Sequence, residues 1–343
     1  MLKHGADREP GSRPQAPARG RAAEPRRGSL ARRAAAFVAG QSWVRKVVLS
    51  TPVVRDVAWR FVAGEDLDAG LGALRALNAR GIKGTLNYVG THVRSEAEAI
   101  AAADAAIASL RRIRAEGVDS HVSLKLTQIG LDVNEELCRT QLRRVLDCTA
   151  EVANFVRIDM EESAYTEQTI RLFEEMREAY GAERVGIAVQ SYLRRRGDDL
   201  ERLLAGDSRI RLVKGGYWEP ADVVYRRKAE IDRAFLGDLD RLLRRGAHPA
   251  LATHDTRAID RARRIAAEAG LDKGAFEFQM LYGVRPDLQA SLVRDGHIVR
   301  CYVPYGGQWY AYVLGCVRRL PGGVLQRFRE RARRHRRRPA VRP

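Results

Sequence analysis

The sequence predicts an α/β chain whose eight parallel strands and intervening helices close into a (β/α)8 barrel. Three observations predict it. Eight short apolar runs recur between residues 84 and 304, their starts 22 to 40 residues apart. Helical patterns such as EAEAIAAADAAIASLRRIRAEG fill most of the intervals. A polar residue stands at or near the end of every run, where a barrel collects its chemistry. The alternative architecture, a doubly wound open sheet, normally carries a GxGxxG turn after its first strand, and none follows the first run here.

The elements follow in order. Residues 1–35 are rich in Pro, Gly, Arg and Ala and read as a disordered basic tail. Residues 36–65 read as an amphipathic helical segment, with Phe37, Val38, Trp43, Val47, Val48 and Val53 at helical offsets. The barrel is expected over 66–325. Its runs are GTLNYV from Gly84, HVSLKLT from His121, FVRIDME from Phe155 and VGIAVQS from Val185. They continue with RIRLVKG from Arg209, PALATHD from Pro249, FEFQML from Phe276 and IVRCYVP from Ile298. Residues 326–343 form an Arg-rich tail.

The chain has 343 residues, 45% of them hydrophobic, enough for one large core. Its net charge of +18 is uneven. Residues 1–35 hold nine Lys/Arg against three Asp/Glu, and residues 326–343 hold nine Arg against one Glu, which leaves +4 for everything between. Such tails attract nucleic acid or anionic lipid through charge alone, so no specific nucleic-acid partner is expected. Cys138, Cys148, Cys301 and Cys316 form no CxxC pair and no metal-ligand spacing. They read as reduced thiols of a cytoplasmic protein. No run is long enough to span a membrane.

The polar residues at or near the strand ends are Asn87, Lys125, Asp159, Gln190, Lys214, His254, Gln279 and Tyr302, with Arg211 inside the fifth run. Asp159 and Glu161 alternate, so both are expected to face the interior or the mouth. No serine has the context of a triad nucleophile, and His254 with Asp159 does not complete a metal site. Cationic groups beside the glycines of VKGGY suit a phosphate or another anion. The residues alone therefore support a barrel enzyme for an anionic cofactor or substrate and leave the reaction open.

The segments SLKLTQIGL, IDMEESAYTEQT, AVQSYLRR, RLVKGGYWEP, LATHD, FEFQMLYGVR and YVPYG with WYAY resemble, in order, the motifs of the proline dehydrogenase family. The resemblance covers about residues 60–320. It implies a distorted barrel that binds FAD non-covalently at its mouth. It implies oxidation of L-proline to Δ1-pyrroline-5-carboxylate, with hydride passing from the ring carbon next to nitrogen to flavin N5. Electrons would leave to a quinone or other acceptor, which implies peripheral contact with the inner face of a membrane.

Residue by residue, the resemblance implies Asp159 and Arg211 as catalytic groups, with Arg211 on the N5 side of the flavin. Met160, Gln190, Lys214, Gly215, Gly216, Tyr217, Thr253 and His254 would contact the cofactor. Lys125, Leu281, Tyr302 and Tyr312 would bind the substrate. Two departures stand out. The family's paired carboxylate-binding arginines fall, counting without gaps, on Gly315 and Cys316, followed by Arg318 and Arg319. The gate glutamate of its Leu-Gly-Glu motif falls on Thr91. The alternatives are a flavin dehydrogenase of the same fold acting on another small amine, imine or N–N compound, and a non-catalytic flavin-binding or regulatory protein.

Overall fold

The computed structural model describes residues 59–90, 92–310 and 312–313. Both tails, most of the segment at 36–65, Thr91 and positions 314–325 lie outside the described residues. Trp59–Asp66, the described end of that segment, form a turn and extended backbone.

Eight strands close a parallel barrel in sequential order. They are β1 Lys83–Tyr88, β2 Ser120–Leu124, β3 Val156–Ile158, β4 Val185–Gln190, β5 Arg209–Val213, β6 Ala247–Ala252, β7 Glu277–Leu281 and β8 Ile298–Tyr305. All eight apolar runs are strands. The register β1 to β8, with Thr85 opposite Tyr302, closes the circle. One irregularity falls between β5 and β6 at Arg209/Arg211.

Helix α1 Leu67–Asn78 precedes β1, and one α-helix follows each of β1 to β7. These are α2 Glu96–Ala115, α3 Glu135–Val152, α4 Thr166–Tyr180, α5 Arg196–Ala205, α6 Lys228–Arg245, α7 Thr256–Glu268 and α8 Pro286–Arg294. Their starts follow local chemistry. Asp66, Ser95, Asn134 and Asp255 each accept a hydrogen bond from a first-turn N–H, meeting donors the helix cannot satisfy itself. α8 begins at Pro286, whose missing N–H costs nothing there.

Parallel strands covered on both faces cannot show a simple polar–apolar alternation, so two faces must be told apart by contact. Leu86 faces the helices: a Cβ on Gly70 of α1 would meet its Cδ1 at 3.1 Å. Its neighbours Thr85 and Asn87 therefore face the lumen. The outer layer between strands and helices is apolar and includes Phe173, Phe235 and Phe278, all fully buried. Gly84 lets α1 lie against β1, since a Cβ there would come within 2.0 Å of Leu74. The lumen is polar and charged, with Arg157, Asp159, Arg211, Gln279 and Arg300 all buried. Cys138, Cys148 and Cys301 are buried free thiols. Among the described residues no helix is long and apolar enough to cross a membrane.

Candidate active site

The C-terminal ends of β2, β3, β5 and β8 converge on one carboxylate. Asp159, directly after β3, accepts from Ser123 Oγ at 2.6 Å and Arg211 NH1 at 2.5 Å on Oδ1. On Oδ2 it accepts from Tyr302 OH at 2.8 Å and Lys125 Nζ at 3.3 Å. Burial by itself would raise the Asp159 carboxyl; Lys125 and then Arg211 outweigh it and hold the group below its ordinary value. Burial likewise would lower the Lys125 ammonium, but Asp159, Tyr217 and Glu161 raise it. The Lys125 ammonium and the Arg211 guanidinium share this single carboxylate, and all three groups are largely buried.

Arg211 is 4% exposed and held from two sides. Besides Asp159, it donates from Nε to Gln279 Oε1 at 2.6 Å and from NH1 to Ser123 Oγ at 3.3 Å. Its NH2 has no protein partner among the described residues. The guanidinium also lies 5.4 Å from the centre of the Tyr302 ring.

The loops above the strands arrange the remaining candidates. Met160 is buried beside Asp159. Gln190 ends β4 and donates to the Glu161 carbonyl at 2.7 Å. Lys214 follows β5, and its ammonium reaches Asp232 at 2.6 Å and Asp255 at 3.1 Å. Gly215 and Gly216 are exposed and Tyr217 is half-buried. Gly215 has φ +99, and a Cβ there would sit 2.1 Å from the Tyr192 ring, so two requirements demand glycine. Thr253 is buried after β6. His254 accepts the Leu281 N–H on Nε2 at 3.0 Å, which puts its proton on Nδ1. Burial, then Arg285, lowers its pKa to about 4, so the ring is neutral. Leu281 is half-buried at the end of β7. Tyr312 is half-buried in the helical turn that starts at Trp309.

The structure therefore brings together Lys125, Asp159, Arg211 and Tyr302, and it adds Ser123 and Gln279. Gln279 stood out in the sequence only as a strand-end polar residue, and Ser123 not at all. Each lies two residues before a named site residue, Lys125 and Leu281, and so on the same face of its strand.

Glu161 lies beyond the end of its strand, in the loops above the barrel. β3 ends at Ile158, and Glu161 turns to accept from Thr127 N at 3.1 Å and Thr127 Oγ1 at 2.6 Å. Nearby, donor atoms of His92, Glu161 and Glu162 lie within 4.8 Å of one another. His92 Nδ1 is held by Asp132 at 2.7 Å. The His92 ring, which burial alone would make less basic, is made more so by Asp132 and Glu162. His92 thus pairs with Asp132 and Glu162, while Glu161 is bound by Thr127.

The match to known proteins is extensive. The family model for proline dehydrogenase aligns with residues 71–320. The chain belongs to the proline dehydrogenase family. It is similar to proline dehydrogenase of Deinococcus radiodurans, 40% identical over 260 residues that cover 75% of this chain and 84% of the relative. It is also similar to proline dehydrogenase 1 of Bacillus subtilis strain 168, 36% identical over 267 residues, covering 78% and 88%. Among solved structures, proline utilization A (PutA) from Bdellovibrio bacteriovorus inactivated by N-propargylglycine superposes with a TM-score of 0.72 at 25% identity. PutA from Corynebacterium freiburgense gives 0.65 at 25% identity. The chain spans about a third of each, 32% and 31%, while 76% and 77% of this chain is covered. The proline dehydrogenase family is in general FAD-dependent.

The residues present fit such a cofactor. Arg211 is almost wholly buried, yet one of its guanidinium nitrogens has no partner among the described residues. Two buried cations on one carboxylate suit a group that takes on negative charge.

Proposed function

We propose that this chain is an FAD-dependent oxidoreductase that converts L-proline to Δ1-pyrroline-5-carboxylate. The ring carbon next to nitrogen loses a hydride and the nitrogen loses a proton, which leaves a C=N bond. Bound FAD supplies the hydride acceptor, and a quinone or another acceptor then removes the electrons. The observation that carries the reading is Arg211, buried in the lumen and held by Asp159 and Gln279, with NH2 unpartnered among the described residues.

The chain's own groups have definite tasks. Arg211 offers a fixed positive charge where negative charge develops on hydride transfer. Asp159 keeps Arg211 and Lys125 in place and blocks their mutual repulsion. Lys125 presents a cation to the substrate carboxylate. Tyr302, anchored on Asp159, and Leu281 wall the pocket. Met160, Gln190, Thr253, His254 and the Lys214–Tyr217 loop hold the cofactor. Lys214 brings its charge already balanced by Asp232 and Asp255. Its contribution to phosphate binding is therefore a hydrogen bond more than a net charge.

Gly315 and Cys316 support a second reading. They stand where the family keeps its carboxylate-binding arginines, and Thr91 stands where it keeps their glutamate partner. Each charged hydrogen bond contributes roughly 1.5–3 kcal/mol. Two missing arginines weaken proline binding by about two to four decades. The second reading is a same-fold flavin dehydrogenase for a small cyclic amine, imine or N–N compound that lacks a carboxylate.

An anaerobic titration of the FAD-loaded protein decides. Proline should bleach the flavin absorbance. Bleaching by cyclic amines or hydrazine-type compounds but not by proline selects the second reading. A colourless protein that cannot be reconstituted with FAD overturns both.

A further inference from the structure

We propose that Gln279 is a positioning residue that fixes Arg211 without neutralising it, and so sets the redox poise of the bound flavin. This rests on the reading above, in which Arg211 serves the flavin.

The hydrogen-bond chemistry leaves Gln279 one orientation. A guanidinium only donates, so the amide must offer its oxygen to Arg211 Nε, and it does so at 2.6 Å. The amide nitrogen must then find an acceptor, which is Glu277 Oε1. Glu277 in turn is pinned by Arg300 Nε at 3.1 and 2.9 Å. Arg300 also donates from NH1 to the Gly84 carbonyl at 2.7 Å. The result is a chain from Arg211 on β5 through β7 and β8 to the backbone of β1. Gln279 and Arg300 are each 4% exposed, so water does not compete for these bonds.

Orientation follows from two anchors on different nitrogens. Asp159 takes NH1 and Gln279 takes Nε, which fixes the guanidinium plane and leaves NH2 without a partner among the described residues. A single anchor would let the group rotate about it.

Charge is the second half of the inference. Arg211 already shares Asp159 with Lys125. An amide at 279 adds a hydrogen bond and no charge. A carboxylate there would complete the neutralisation of Arg211 and remove the positive potential that favours the reduced cofactor. It would also stand beside Glu277, so it would ionise only as the pH rises. Gln279 thus reconciles a rigid Arg211 with a positively charged one.

The test compares Gln279→Glu with the parent by flavin midpoint potential from pH 6 to 9. It is paired with binding of oxidised and of chemically reduced FAD to the apoprotein. At the alkaline end, Q279E is expected to favour oxidised over reduced FAD about tenfold more than the parent does, equivalent to a potential about 30 mV lower for a two-electron couple. The difference should shrink toward acid pH as the introduced carboxyl protonates. A second variant, Gln279→Leu, removes the anchor without adding charge. It is expected to lower kcat about tenfold with KM for the reducing substrate within threefold.

If Q279E does not fold, Q279L decides. A redox-state preference within twofold of the parent at every pH, together with a Q279L kcat within twofold, overturns the inference. Arg211→Lys separates the levels. If R211K shifts the redox preference while both Gln279 variants leave it unchanged, the positioning role is wrong and the flavin reading stands. If R211K has no effect, or no flavin binds, both are wrong.

Discussion

Replacing Asp159 by Asn removes the one carboxylate that two buried cations share. At an effective dielectric of about 20, unit charges 3.3 Å apart, the Lys125 distance, attract by about 5 kcal/mol. The 2.5 Å contact to Arg211 gives about 7 kcal/mol on the same basis. Desolvation of all three groups cancels most of this, so the pairs contribute little net stability compared with an apolar replacement. Removing only the anion is different, because both cations stay buried. That costs about 3–5 kcal/mol, a fall in Tm of about 6–20 °C. Removing one cation as well should relieve the strain. The double variant Lys125→Met with Asp159→Asn is expected to recover about 2 kcal/mol relative to the sum of the single effects.

The pH dependence has a definite sign. Asp159 is held below its ordinary value of 3.8, so the stability it contributes is present above that value and is lost as pH falls through the folded-state pKa. The gap between parent and D159N should therefore be constant from pH 7 down to about pH 4 and close only below it. Thermal melting of the apoprotein, parent and three variants, supplies every number. Strict additivity in the cycle, or a D159N Tm within about 2 °C of the parent, would refute the shared-carboxylate argument.

Three further outcomes follow, two from single residues and one from a triple substitution. His254 is neutral in the fold with a pKa lowered to about 4, so the stability it contributes is full above 6.5 and is lost as pH falls toward 4; His254→Gln should flatten that part of the apoprotein's Tm–pH curve, and an unchanged slope counts against it. Gly215→Ala meets both a φ of +99 and the Tyr192 ring at 2.1 Å, so it should destabilise by about 1–3 kcal/mol and weaken FAD binding; a variant that melts and binds FAD like the parent contradicts the glycine requirement. Restoring the arginines by Gly315→Arg with Cys316→Arg, and adding Thr91→Glu, should lower KM for proline at least about tenfold, measured by steady-state dye reduction; an unchanged KM means that other residues hold the carboxylate.

The architecture was legible because strand and helix signals are local. Each apolar run needed only its own residues and its helical neighbours, and all eight became strands. Strand termini were less legible: β3 is only Val156–Ile158, so Asp159 and Glu161 both lie past its end. The chemistry was partly visible. Lys125, Asp159 and Tyr302 stand at or near strand ends and Arg211 inside the fifth run, and the structure joins them through one carboxylate. Ser123 was not named, because a serine inside an apolar run is common and its partner lies 36 residues away. Gln279 was seen at a strand end, but its role depends on Arg211 across 68 residues of chain.

The sequence by itself determined the barrel class, the family, and the departures at Thr91, Gly315 and Cys316. These are properties of residue order, which periodicity and motif matching read directly. Only the tertiary structure decided which polar residues face the lumen and which partner each holds. Closing the barrel brings β2, β3, β5, β7 and β8 around one axis, so donors and acceptors far apart in sequence come within 3.3 Å. Burial then fixes their charges. Lys125 and Arg211 share Asp159, and Gln279 meets Arg211 with an amide, because leaving a buried polar group without a partner costs free energy.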